Sequence, residues 1–189
     1  VNLRIVEKEH LDLLAEWFNN PEFSGEFQDF PTQISRFKLE KQVFEPKIPE
    51  TEWTHFIIEK KDGTKIGWIA HYIGSQNFGW IEIGYAITPR ERERGYATEA
   101  IQILVDYLFL TKDILRIQAV TNVENIASQK TLEKTGFKRE GRLRKALWVK
   151  GKWMDGRLPI QHNPRRMERA KNTNSKRNLL EVEDPCGSL

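Results

Sequence analysis

The spacing of apolar residues changes repeatedly along the chain, and each change marks an element. Leu3 to Val6 read as a first strand. Leu11, Leu14, Ala15 and Phe18 recur at the three-and-four spacing of an amphipathic helix, which Asn19-Asn20-Pro21 should end. Ile34, Phe37, Lys41 and Phe44 give a weaker helical pattern before Pro46. The stretch between these helices, Glu22 to Thr32, is rich in phenylalanine and acidic residues and shows no period. Thr54–Glu59 and Lys65–Ile73 are strand-like runs joined across Asp62-Gly63, a hairpin signal. Another strand runs from Trp80 to Thr88 and stops at Pro89. Ala97, Ala100, Ile101, Leu104 and Leu108 then mark one face of a long helix. Arg116 to Thr121 is the next strand, and a shorter helix from Ile126 to Thr135 should be capped by Gly136. Two strands, Arg139–Val149 and Trp153–Ile160, flank Lys150-Gly151-Lys152, and Pro159 places the last of them at a sheet edge.

This order predicts an α/β (α+β) architecture: a mixed, mostly antiparallel sheet of about seven strands flanked by about four helices. A single strand–helix–strand crossover lies in the middle. With 189 residues the chain can bury a substantial core in one domain, expected over 1–161. Residues 162–189 read as a charged, flexible tail. Six basic residues face Glu168 alone between His162 and Leu180, and Glu181, Glu183 and Asp184 then reverse the sign.

Composition removes several functions. A net charge of +3 is too small to argue for nucleic acid, and the basic stretch lacks interleaved aromatics for base stacking, so direct nucleic-acid binding is not expected. No apolar run is long enough for a bilayer-spanning helix, and the first residues lack the apolar core of a signal peptide. The one cysteine, Cys186, has no partner for an intrachain disulfide, so a cytoplasmic home is expected. His10, His55, His71 and His162 are scattered without metal-ligand spacing, and no metal is expected. Ser35-x-x-Lys38 and Lys134-Thr135-Gly136 look like pieces of a penicillin-recognising site, but no Ser-Asp-Asn joins them.

Chemistry concentrates between the Trp80 strand and the long helix, in Thr88-Pro89-Arg90-Glu91-Arg92-Glu93-Arg94-Gly95-Tyr96-Ala97-Thr98. Gly95 and Ala97 remove side-chain bulk, so a ligand can approach the backbone. The first N–H groups of a helix lack intrahelical partners and carry the positive end of its dipole, which suits a phosphate. An ordinary charged loop before a surface helix would carry the same composition. Glu82 interrupts an otherwise apolar strand on the same face as Trp80 and Gly84. A carboxylate so placed should have a raised pKa and can act as a base. The plainer readings are a half-exposed strand residue or an acid that orients substrate.

Arg92-x-x-Gly95-x-Ala97 resembles the Arg/Gln-x-x-Gly-x-Gly/Ala motif of the GNAT superfamily of acetyl-CoA-dependent N-acetyltransferases. Glu82-Ile83-Gly84-Tyr85-Ala86-Ile87, Asn125-Ile126-Ala127-Ser128, Leu132 through Gly141, and Trp148 through Gly156 are similar to its RimJ/RimL-like branch, named for ribosomal-protein N-terminal acetyltransferases. The resemblance spans Leu3 to Ile160.

It implies a splayed strand pair with the pantetheine arm of acetyl-CoA lying in the gap. Backbone groups of Tyr85, Ala86 and Ile87 would pair with that arm. Arg92, Glu93, Arg94, Gly95, Tyr96, Ala97 and Thr98 would cradle the pyrophosphate. The Asn125 side chain would contact pantetheine, and Ser128 would sit by the thioester sulfur. Glu82 is the candidate base, and Glu82 and Ser128 form the catalytic set. Seven positions after Asn125, where many members carry a tyrosine acid, stands Leu132. Thiolate protonation therefore falls to Ser128 or water.

The implied partners are acetyl-CoA and a primary amine, on a monomer or homodimer. An α-amine has a pKa of about 7.7–8.0 and a lysine amine one near 10.4, so a site without the tyrosine suits an α-amine better. A protein N-terminus is the leading acceptor. The alternatives are a small-molecule amine such as an antibiotic, polyamine or amino acid, or a non-catalytic acyl-CoA-binding module. Trp53, Trp80 and the stretch from Phe23 to Phe30 are candidates for the acceptor wall, against a plainer role in packing.

Overall fold

The computed structural model describes residues 1–27, 33–45, 53–75 and 79–163. The charged tail expected after 161 lies outside them apart from His162 and Asn163. Strand β1 (Asn2–Ile5) leads through a 3-10 turn into helix α1 (Leu11–Asn19), whose buried face is Leu11, Leu14 and Trp17. Pro21 ends α1 as expected, but it also opens a one-turn helix, α2 (Pro21–Ser24). The Asn20 side chain caps that turn by accepting from Glu22 N at 2.9 Å, and proline at N1 gives up only an N–H that would have no partner there.

Helix α3 (Arg36–Phe44) begins at Ser35, whose hydroxyl accepts from Lys38 N at 3.2 Å. That explains Ser35-x-x-Lys38 as a helix cap. The buried face of α3 differs from the expected one. Leu39 is buried with Val43 packed behind it, whereas Phe37 is exposed with Lys41 Nζ 4.5 Å from its ring centre.

The remaining elements are β2 (Trp53–Glu59), β3 (Lys65–Ser75), β4 (Trp80–Ile87), α4 (Tyr96–Thr111), β5 (Arg116–Gln118), β6 (Thr121–Asn122), α5 (Ile126–Lys134), β7 (Lys138–Val149) and β8 (Lys152–His162). They form one eight-stranded sheet in the order β1-β2-β3-β4-β5-β8-β6, with β7 paired to β8. Only β4 and β5 are parallel, joined by the α4 crossover. α4 packs on one face over Ile58, Ile69, Ile81, Ile83 and Ile117. α1, α2 and α3 cover the other face against Ile57, Ala86 and Trp68. Both faces are thus buried around β4, the strand that carries the candidate acid.

Pro159 is not at an edge. It is buried in β8, between β7 on one side and β5 and β6 on the other. Its carbonyl accepts from Ala119 N at 3.1 Å, and the N–H it lacks would leave on that same side. The missing donor faces the two residues where the expected Arg116–Thr121 strand divides into β5 and β6. β8 also runs past Ile160, and Asn163 closes it by donating its backbone N–H to Leu115 O at 2.9 Å. None of the helices among the described residues is long and apolar enough to cross a membrane.

Candidate active site

Along β4 the side chains alternate. Trp80, Glu82, Gly84 and Ala86 face α1 to α3, while Ile81, Ile83, Tyr85 and Ile87 face α4 and α5. β3 lies along the whole strand on one side, from Gly67↔Ile87 to Ser75↔Trp80. β5 pairs with it over three rows only, Trp80↔Arg116, Ile81↔Ile117 and Glu82↔Gln118. The next residue, Ala119, already bonds to β8. From Ile83 onward β4 therefore has no strand partner on this side among the described residues, and the two strands part just beyond Glu82.

Glu82 stands at the foot of this cleft. Gln118 Nε2 donates to Glu82 Oε2 at 2.9 Å, and Tyr72 Oη donates to the same oxygen at 3.4 Å. Both partners are its direct neighbours across the ladders. Burial pushes the carboxyl above its usual pKa, and the two donors offset part of that rise. The Trp80 ring stands edge-on to Tyr72 at 6.0 Å, which walls one side of the acid with aromatic carbon. Phe23 does not join this wall, because it is buried and stacks on Trp17 at 5.0 Å. Residues 28–30 lie outside the described residues.

β4 ends in the 3-10 turn Pro89–Glu91, after which the backbone curls sharply. Glu93 has φ 63° and Gly95 φ 83°, two left-handed residues within three. Only glycine takes that conformation without cost, and nothing lies within 4 Å of where a Gly95 Cβ would be. The first bond of the α4 ladder runs from Glu99 N to Gly95 O at 3.1 Å. The N–H groups of Tyr96, Ala97 and Thr98 precede it, so they have no acceptor within the helix and lie at its positive end. A curled backbone followed by a helix N-terminus concentrates donors for an anion.

Two of the neighbouring arginines are engaged elsewhere. Arg92 donates from Nε to Ile87 O at 3.0 Å and from Nη2 to Phe23 O at 2.7 Å and Glu22 O at 3.2 Å. Its guanidinium thus ties the turn to the end of β4 and to α2. Arg94 Nη1 lies 3.4 Å from Glu91, which also holds Lys60 Nζ at 3.2 Å. Among the described residues no ion pair is seen for the exposed Arg90.

Across the cleft, Asn125 caps α5 by accepting from Ser128 N at 3.0 Å through its carbonyl oxygen, so the cap does not use its amide NH2. Ser128 Oγ lies 2.9 Å from Tyr85 Oη, a contact between β4 and α5 that sequence spacing does not announce. Leu132, in place of the tyrosine, is buried in the core beneath α4. The expected site residues thus gather around one cleft: Glu82 at its foot, Tyr85, Ala86 and Ile87 along its free edge, the turn at its mouth, and Asn125 and Ser128 opposite.

A free strand edge leading from an anion-ready turn to a half-buried carboxylate is the arrangement that the resemblance to acetyl-CoA-dependent transferases implies. A family model described as an acetyltransferase (GNAT) domain matches residues 1–138. The uncharacterized N-acetyltransferase p20 of Bacillus licheniformis is 32% identical over 157 residues, covering 82% of this chain and 88% of that protein. A spermidine N-acetyltransferase from Vibrio cholerae, solved with CoA and spermine, superposes with TM-score 0.76 at 22% identity, over 86% of this chain and 95% of that one. RimL, a ribosomal alpha-N-protein acetyltransferase solved with coenzyme A, gives TM-score 0.75 at 19% identity, over 85% and 92%. The chain belongs to the GNAT family of acetyltransferases and transfers acetyl from acetyl-CoA to an amine.

Proposed function

We propose that the acceptor is a protein N-terminal α-amine of the ribosomal-protein type, as in the RimJ/RimL-like branch, and that the amine attacks the thioester directly. Glu82 is the observation that carries the mechanism. A carboxylate with a raised pKa takes a proton readily from an ammonium near pKa 8 and far less readily from a lysine. On this reading the pantetheine arm lies along the free edge from Tyr85 to Ile87, held also by the Asn125 amide. The N–H groups of the Arg92–Thr98 turn receive the pyrophosphate, with Arg90 beside it. Arg92 supports the turn from behind, and Ser128 faces the sulfur.

As the acceptor nitrogen bonds to the acyl carbon, backbone donors of the free edge stabilise the oxyanion. Glu82, directly or through water, has taken the first proton from the ammonium before attack; the C–S bond then breaks with its electron pair on sulfur, and the second nitrogen proton leaves to water. No nucleophile–base pair for an acyl-enzyme is seen among the described residues.

A polyamine acceptor is the second reading, favoured by the spermidine enzyme among the structural neighbours. Thiol release from acetyl-CoA across peptides, amino acids, polyamines and aminoglycosides separates the two. Turnover is expected to be highest with peptides bearing a free N-terminus. Turnover with spermidine and none with peptides would replace the first reading by the second.

A further inference from the structure

Tyr85 brings a phenol from β4 to α5, the helix that carries Leu132 where many family members have a tyrosine. Its half-buried ring leaves β4 on the α5 side, and its hydroxyl lies 2.9 Å from Ser128 Oγ and 3.4 Å from Ser128 O. Burial pushes the phenol up to about 12, so it stays protonated throughout the working range. The neighbouring Thr131 hydroxyl donates its own proton to Ala127 O at 2.9 Å. Ser128 is held in turn from below, because its backbone N–H is bound to the Asn125 cap.

A helical serine ordinarily turns its hydroxyl proton back to a carbonyl one turn earlier or to whichever acceptor is near. A donor fixed on its oxygen changes that choice and makes the remaining O–H a stronger donor. We infer that Tyr85 is a positioning residue: it donates to Ser128 Oγ and thereby turns the Ser128 proton into the cleft, toward the departing sulfur. The inference rests on the proposed placement of Ser128 beside the thioester.

During transfer the acyl carbon gains the amine nitrogen and loses sulfur, and the second nitrogen proton leaves to water. Ser128 keeps its proton and stabilises the thiolate by a hydrogen bond. Tyr85 neither gains nor loses a proton, and the thiolate is protonated from water on release. Two hydroxyls from different elements thus do the work that one tyrosine on the helix would do.

The test uses the full chain with Tyr85→Phe, Ser128→Ala and the double variant, reading kcat, KM, CoA affinity and melting temperature. Removing one hydrogen bond to a charged group costs on the order of tenfold or more in kcat. Ser128→Ala and Tyr85→Phe are each expected to lower kcat about tenfold, with CoA affinity held within about twofold. The double variant should be no slower than Ser128→Ala alone, since Tyr85 acts only through that hydroxyl. Unchanged kcat in Ser128→Ala would overturn the placement of Ser128. A slow Ser128→Ala beside a normal Tyr85→Phe, or effects that multiply in the double variant, would overturn the role of Tyr85 alone.

Discussion

Replacing Arg92 by methionine keeps the length of the stem and removes three hydrogen bonds at once, to Ile87 O, Phe23 O and Glu22 O. A shielded charge-assisted bond contributes about 1.5–3 kcal/mol, but the Arg92 side chain is exposed and water competes for it. A total loss of about 1–2 kcal/mol is therefore expected. For a domain of this size that lowers the melting temperature by about 2–8 °C. The turn would also lose its anchor, so CoA affinity should fall roughly three- to tenfold, or about 0.7–1.4 kcal/mol.

Calorimetric titration with CoA at rising ionic strength distinguishes support from direct contact. Removing a strut weakens binding equally at all salt concentrations, whereas removing a phosphate partner flattens the salt dependence. Lysine should not rescue, since one ammonium cannot reach three carbonyls in a fork. An unchanged melting temperature together with a flattened salt slope would refute the strut and return Arg92 to the phosphates.

Further outcomes follow from the same geometry. Because the folded-state pKa of Glu82 is raised, its carboxylate is a net cost to stability once pH rises through that pKa, so Glu82→Gln should match or exceed the parent in melting temperature at pH 8. The same variant should lose most activity while keeping CoA affinity, and the acidic limb of kcat/KM, expected above the usual 4.5, should vanish with it. His71 is buried with Nδ1 lacking a hydrogen-bond partner among the described residues, and burial lowers its pKa from 6.5 to about 4. The unfolded chain then takes up a proton that the folded chain refuses. Stability should be level above pH 6.5 and fall by up to about 3 kcal/mol by pH 4, and denaturant melts of His71→Leu should lack that slope. A Cβ at Gly67 would lie 2.2 Å from Ala86 O, so Gly67→Ala should push β3 off the β4 edge, costing about 1–3 kcal/mol and weakening CoA binding, both measurable by melting and titration.

The crossover, the long helix and the acid-bearing strand are legible in the sequence because their apolar spacing is long and regular. The buried face of α3 was not. Its pattern is short, and the choice between Leu39 and Phe37 is made by contacts with α1 and the sheet. Pro159 signalled an edge by a sound rule, yet an interior strand accommodates it where the neighbouring ladder breaks.

At the site, Glu82 and the Gly95 turn follow from local pattern. The partners of Arg92 do not, since Phe23 is 69 residues away and only folding brings its carbonyl to the turn. The motif shows that an arginine belongs there without showing what it holds. Tyr85 and Ser128, 43 residues apart, are likewise joined only by the packing of α5 on the sheet. Tyr72 and Gln118 are ordinary strand residues until register sets them on either side of Glu82.

The acceptor is tested most directly by one peptide that carries both a free N-terminal α-amine and a lysine, incubated with acetyl-CoA and the full chain near pH 7.5. Fragment mass spectra locate the acetyl group. Acetyl on the α-amine, with Glu82→Gln giving little product, is the predicted result. Acetyl on the lysine, or transfer to spermidine with none to the peptide, would contradict an α-amine acceptor served by Glu82.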